Sequence, residues 1–241
     1  NPPVFPESHA RLPWADGSAD PIRVGTVFGV LLNHRGALEA IGPAVDAPPY
    51  KGAPKAPVLY VKPRNAVTVG DPRIPVPDDA PALEIGACLG LVIGRTASRL
   101  SEAAAMDAVA GFVPAIDVSV PHTVFYRPSI RFKARDGFCP IGPAAVPRAR
   151  VGDPGALTLR VSVDGQWVQT GSTADWVRPA ARLLAEITDF MTLSPGDVLL
   201  TGVPVGAPQA RLGQRVAVEI DRVGRLEATM VSQAAFEGSA R

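Results

Sequence analysis

Proline and glycine interrupt this chain too often for long helices to form. It carries 26 prolines and 23 glycines in 241 residues. An interior proline removes a backbone donor and clashes with the preceding turn, so such punctuation suits short strands joined by loops. The apolar segments agree. "RVGTVFGVLLNHRG" (23–36) reads as a strand ending in a polar turn, and "VLYVKP" (58–63) as a strand stopped by Pro63. "VSVDGQWVQ" (161–169) reads as a hairpin about Asp164-Gly165. "VAVEIDRVGRLEATMV" (216–231) reads as a second hairpin, with Val216, Val218 and Ile220 facing inward. Two helices are predicted. One covers 101–112, capped by Ser101 and ended by Gly111. The other covers 179–191, where Leu183, Leu184, Ile187, Phe190 and Met191 recur at helical spacing. Residues 43–57 and 71–81 read as loops. Residues 1–22 read as a Pro-rich arm lying on the surface or on a partner, which leaves 23–241 as a single domain. The class is β-rich α+β, without βαβ alternation.

The net charge of +1 gives no electrostatic reason to expect nucleic acid or an anionic membrane as partner. No apolar run reaches the length of a membrane span, and the opening residues lack the apolar core of a signal peptide. Cys88 and Cys139 are both flanked by apolar residues. They read as reduced, buried thiols of a cytoplasmic protein.

Three stretches could carry chemistry. In "FYRPSIRFKARDGFCPIGP" (125–143), Arg127, Arg131, Lys133 and Arg135 all fall on odd-numbered positions. If the segment after Pro128 is extended, the last three share a face and call for an anion between them, either Asp136, solvent or a polycarboxylate ligand. The same pattern also describes a charged edge strand. In "AIDVSVPH" (115–122), Asp117 stands in an apolar run and must be hydrogen-bonded, ion-paired or metal-bound. In "LLTGVP" (199–204), Thr201 and Gly202 end a strand where a hydroxyl and backbone N–H groups could hold an anion, or form only a turn. His34 and His122 are isolated and read as surface or loop histidines. Nothing has the spacing of a zinc site, a nucleophilic triad or a phosphate-binding glycine loop.

In order along the chain, "YVKPRNAV", "LGLVIGR", "SEAAAMDAVAGFVPAIDVS", "FYRPSIRFKARDGFCPIGP", "TLSPGDVLLTGVP" and "VGRLEATMVS" resemble the fumarylacetoacetate hydrolase family over residues 24–232. Within it, "LNHRG" and "FYRPSIRFKARDGFCPIG" resemble the first of the two homologous halves of the isomerase/decarboxylases of homoprotocatechuate (4-hydroxyphenylacetate) breakdown. The resemblance implies a mixed β-roll or sandwich with a few short helices. It implies a homodimer, or a heterodimer with a homologous subunit. Its substrate would be a small polycarboxylate 2-oxo acid such as 5-oxopent-3-ene-1,2,5-tricarboxylate or 2-hydroxyhepta-2,4-dienedioate. In the family, Mg²⁺ or Mn²⁺ sits on Glu-x-Glu plus a downstream Asp and stabilises an enolate. Asp117 matches that Asp and Lys133 a family lysine, which makes them the implied catalytic pair, with Arg127, Arg131 and Thr201 as implied substrate contacts. At the two Glu positions, however, stand Gly86 and Cys88. Glu84 lies on the same strand face, displaced by about 6–7 Å. Asp117 is then the one metal ligand left, and the chain alone is expected to hold no metal. The family's lid motif reads "NHRGALEA" here: Asn33 is kept, Ala37 replaces the histidine, and Glu39 neighbours the family Glu. The reading is an isomerase/decarboxylase subunit, or a degenerate one that supports a metal-competent partner. A third alternative is metal-independent isomerisation, with Lys133 and Asp117 relaying a proton between carbons of an already enolised substrate.

Overall fold

The computed structural model describes residues 10–71, 73–123 and 129–238. Two sheets and a short ribbon make up the fold. The main sheet runs in the order Val58–Lys62, Val27–Leu31, Val198–Leu200, Leu83–Ile93, Val109–Ser119, Cys139–Ile141, Val67–Val69. Its centre is the antiparallel pair of eleven-residue strands Leu83–Ile93 and Val109–Ser119. Both are buried almost end to end, which is why they read as continuous apolar runs without alternation. The second sheet runs Gln166–Ser172, Thr158–Val163, Arg215–Ile220, Gly224–Ser232, Arg73–Val76, and packs across the two long strands. Parallel pairs (Val27–Leu31 with Val198–Leu200, and Gly224–Ser232 with Arg73–Val76) make both sheets mixed. The fold is the β-rich, mixed-sheet architecture with few short helices that the resemblance implied.

Both predicted hairpins form. Asp164 and Gly165 take φ of 49° and 80°, the left-handed pair that a two-residue hairpin turn requires. Val216, Val218 and Ile220 face the core. The helix Ala180–Thr188 buries Leu183, Leu184 and Ile187 but stops before Phe190, which lies 64% exposed.

Three expectations are corrected. The segment 101–112 is helical only over Glu102–Ala105, with a 3₁₀ turn at Met106–Ala108, and Ser101 makes no side-chain cap. Val109 already opens a long strand, and Gly111 sits inside it. A Cβ there would collide with the Trp14 ring at 2.7 Å, so this glycine serves close packing and not a helix end. The loop expected at 71–81 contains the strand Arg73–Val76, where Pro75 is tolerated because the strand is at a sheet edge. Finally, the supposed extended row Arg131, Lys133, Arg135 does not exist, because Ile130–Lys133 is a helical turn. Part of the N-terminal segment is tied into the domain: Arg11–Leu12 pairs with Ile22–Arg23, and Leu12 is fully buried.

Candidate active site

The main sheet curls so far that its edge strand Val58–Lys62 faces Val109–Ser119 across three intervening strands. Tyr60 and Lys62, two residues apart, project from one face of that edge strand. Tyr60 lies directly opposite Gly29, and any Cβ at Gly29 would overlap the phenol ring. Only glycine at 29 lets Tyr60 cross its neighbour strand and reach inward.

Both side chains converge on Asp117, which is 2% exposed. Its Oδ2 accepts hydrogen bonds from the Tyr60 hydroxyl and from Lys133 Nζ, the latter at 2.8 Å. Lys62 Nζ stands 2.8 Å from Oδ1. That ammonium also donates to the carbonyls of Val118, Lys133 and Phe138, each at 2.8 Å. Its three protons are thereby used, so its attraction to Oδ1 is Coulombic. Burial alone would raise the Asp117 carboxyl, but Lys133 and Lys62 outweigh it and hold the group well below the usual carboxylate range. Burial also lowers Lys62 and raises the Tyr60 phenol well above its ordinary value. Tyr60 is therefore a neutral donor. The cluster holds two ammonium groups against one carboxylate.

Lys133 is placed by the helical turn Ile130–Lys133, its N–H bonded to the Ser129 carbonyl. That turn sends Lys133 inward and Arg131 outward. Lys133 is 7% exposed and lies 4.8 Å above the Tyr60 ring. Its one hydrogen bond to a side chain leaves donor capacity towards a cavity of about 500 Å³. The cavity is lined by Lys133, Asp117, Glu84, Gly86, Ser119 and His122 together with the apolar Leu32, Ala37, Ile41 and Val203. His122 stacks on Phe132 at 4.6 Å, with Nδ1 2.9 Å from the Val120 carbonyl oxygen. Burial lowers its pKa and raises that of Glu84.

Of the residues singled out from sequence, Asp117 and Lys133 come together as an ion pair in this cavity. Arg131 does not join them: its guanidinium is 81% exposed and 3.9 Å from Asp79, which also takes Arg135 at 2.6 Å. Thr201 is fully buried away from the cavity wall, with its N–H and hydroxyl both donating to the Leu89 carbonyl. Asn33 is a staple rather than a lid residue, bonding the Thr201 carbonyl at 2.8 Å and both backbone groups of Arg178. Glu39 is exposed, and Arg127 lies outside the described residues. His122, read as a surface or loop residue, is half-buried in a loop, whereas His34, read the same way, is buried. Tyr60 and Lys62 went unread, though a polar pair two apart at the end of an apolar strand was a usable signal.

The donor set does not fit Mg²⁺ or Mn²⁺. Those ions need several oxygen ligands. Here Asp117 is the one carboxylate at the position, and its lone pairs face two ammonium groups and a phenol. Cys88 offers a soft sulfur whose thiol burial pushes up to about 12. No group of three His, Cys, Asp or Glu that could hold a metal occurs among the described residues. Nor is any helix among them long and apolar enough to cross a membrane.

Comparison with known proteins bears on this geometry. The profile of the family described as "Fumarylacetoacetate (FAA) hydrolase C-terminal" matches residues 26–231. A 4-hydroxyphenylacetate degradation bifunctional isomerase/decarboxylase from Salmonella dublin is 40% identical over 212 residues, covering 88% of this chain and 48% of the relative. The chain thus spans about half the length of the curated relatives it matches. Among solved structures, 5-carboxymethyl-2-hydroxymuconate delta-isomerase from Mycobacterium smegmatis superposes with a TM-score of 0.73 at 30% identity, covering 88% of this chain and 81% of that one. Fumarylpyruvate hydrolase from Pseudomonas aeruginosa, solved with Mn²⁺ and pyruvate, gives 0.82 at 24% identity over 95% and 99% of the two chains, a likeness of fold.

Proposed function

Because this chain belongs to the fumarylacetoacetate hydrolase family, we propose that it is a metal-independent member serving 4-hydroxyphenylacetate (homoprotocatechuate) breakdown as one of two homologous halves. Its ligand is a small polycarboxylate 2-oxo acid or the corresponding dienol, 2-hydroxyhepta-2,4-dienedioate or its tricarboxylate precursor. The observation that carries this reading is the charge of the buried cluster. Two ammonium groups face one carboxylate, and Lys133 turns its remaining donors to the cavity. A carboxylate or enolate oxygen placed on Lys133 would balance the charge of this buried cluster. The family's divalent cation has no seat here, so Lys133 takes over the stabilisation of negative charge on oxygen. That suits double-bond migration, where charge develops and is lost on one oxygen. The partner half, homologous and metal-competent, would carry the carbon–carbon bond cleavage.

A second reading is a subunit that supports the active half without turnover. Ala37 at the cavity wall, where the family lid has histidine, favours it. One experiment separates the two. The purified chain is titrated with 2-hydroxyhepta-2,4-dienedioate in EDTA by calorimetry, and loss of dienol absorbance is then followed with and without the partner half. We expect binding that Lys133→Met abolishes, and isomerisation by the chain alone. Binding without isomerisation would favour the supporting role. Binding that appears only after Mn²⁺ is added would overturn the metal-free reading.

A further inference from the structure

The proposed reading leaves open which group moves the proton, and Asp117 cannot. Its Oδ2 already accepts two hydrogen bonds, and its Oδ1 is buried against the Lys62 ammonium at 2.8 Å. Against the cost of burial, the two lysines hold the carboxyl well below the usual carboxylate range, which makes it a weak base. A base needs a free lone pair within reach of the substrate's C–H. Four other titratable side chains border the cavity: Glu84, Lys133, His122 and Tyr50. Lys133 is the cation that receives the ligand's oxygen. His122 has Nδ1 at the Val120 carbonyl and 3.3 Å from Ser119 Oγ, and its ring is stacked on Phe132.

Glu84 differs from all of them. It is half-buried on the long strand Leu83–Ile93, two residues before Gly86 and on the same face. Its backbone is fixed on both sides, against Ser119 and against Gln209. Among the described residues its carboxylate has no hydrogen-bond or ion-pair partner, yet it lines the same cavity as Lys133 and Asp117. An unpaired, half-buried carboxylate is costly to keep on a strand unless it has a use.

We propose that Glu84 is the proton carrier of this cavity, working together with the Lys133 ammonium on a 2-oxo acid. The Glu84 carboxylate takes a proton from C3. The C3–H electron pair becomes the C2–C3 π bond, and the carbonyl π pair moves to oxygen, where Lys133 meets it. The protonated Glu84 then returns the proton to C3, or to the far end of the conjugated system, and the oxygen lone pair re-forms the carbonyl. No electron leaves and no co-reactant is consumed. The groups that face Glu84 electrostatically are Lys133, which favours its anion, and Asp117, which opposes it. Burial, the largest influence, raises its pKa and makes it a stronger base than a solvated glutamate.

This inference rests on the ligand-binding reading, and the test keeps the two apart. The probe is 2-oxoglutarate in D₂O with EDTA. Deuterium entry at C3 is followed by proton NMR, and binding separately by calorimetry. We expect exchange by the wild-type chain, lowered about 10²-fold or more in Glu84→Gln with binding kept within a few-fold. Glu84→Asp should retain part of the rate, and the rising limb of the wild-type pH–rate profile should vanish in Glu84→Gln. Lys133→Met should lose binding. Exchange at the wild-type rate in Glu84→Gln, or its loss in His122→Gln instead, overturns the role of Glu84. So does wild-type binding without exchange, which leaves the ligand reading intact. Loss of binding in Glu84→Gln assigns Glu84 to holding the ligand and also overturns it. No binding by the wild-type chain defeats both.

Discussion

Gly86 stands directly across the ladder from Asp117, and a Cβ on Gly86 would lie 2.8 Å from the Asp117 carbonyl oxygen and 2.8 Å from a Val203 methyl. The position that the sequence resemblance matches to a family metal ligand is therefore closed by backbone and by packing. Restoring the acidic pair should fail. We expect Gly86→Glu with Cys88→Glu to lose about 1–3 kcal/mol at each overpacked position and to gain no Mn²⁺ affinity. Adding Val203→Ala should recover part of the stability, since the valine methyl is the yielding neighbour. Denaturant unfolding and Mn²⁺ calorimetry on the double and triple variants check this; tight Mn²⁺ binding by the double variant would show that the strand can shift.

Lys62 should matter more for stability than for ligand binding. Its ammonium is fully buried and ties the carbonyls of Val118, Lys133 and Phe138 to Asp117. Lys62→Met leaves those acceptors bare and one buried charge short of a partner. The expected loss is about 3–5 kcal/mol. Lys62→Met combined with Asp117→Asn should lose less than the sum of the single changes, because the two groups share one network. Chemical denaturation of the full cycle measures the coupling.

The fold was legible where side-chain pattern and turn chemistry agree. The two hairpins follow from Asp164-Gly165 and from the alternation Val216, Val218, Ile220, both local signals. The segment after Ser101 was misread because an alanine run favours helix locally, whereas Val109–Ser119 gains its partners from residues far away in the chain. Period-two reasoning also failed at Arg131 and Lys133, where one helical turn, fixed by the Ser129 carbonyl, rotates alternate residues apart. At the site, Asp117 was legible as an apolar run's one carboxylate. Tyr60 and Lys62 reach it only because the sheet curls and Gly29 clears the way, and neither fact is written in their own neighbourhood.

The two thiols should be silent in the native protein. Cys88 and Cys139 are unpaired and buried, and burial pushes each thiol up to about 12. The thiolate is the reactive form, so a disulfide reagent at pH 8 should titrate neither thiol before unfolding and both after it. Fast labelling of either one in the folded state would contradict this packing.

His34 should give the chain a pH-dependent stability of its own. The ring is 2% exposed, its Nε2 has no hydrogen-bond partner among the described residues, and burial lowers its pKa to about 4 despite the nearby Asp175. In the unfolded chain the imidazole titrates near 6.5, so between about 6.5 and 4 the unfolded state binds the extra proton. Stability from this group is therefore full above about pH 6.5 and falls as the pH drops, levelling below about 4. The span amounts to at most about 3 kcal/mol. Asp117 acts in the same direction but only below the ordinary carboxylate range, because its folded value is depressed. Glu84, raised, acts in the opposite direction around its own titration. Subtracting the unfolding free energies of His34→Gln from those of the wild type at each pH isolates the histidine. The difference should grow by up to that amount from pH 4 to pH 7. A flat difference would mean that His34 is reached by water or finds a proton partner as it charges.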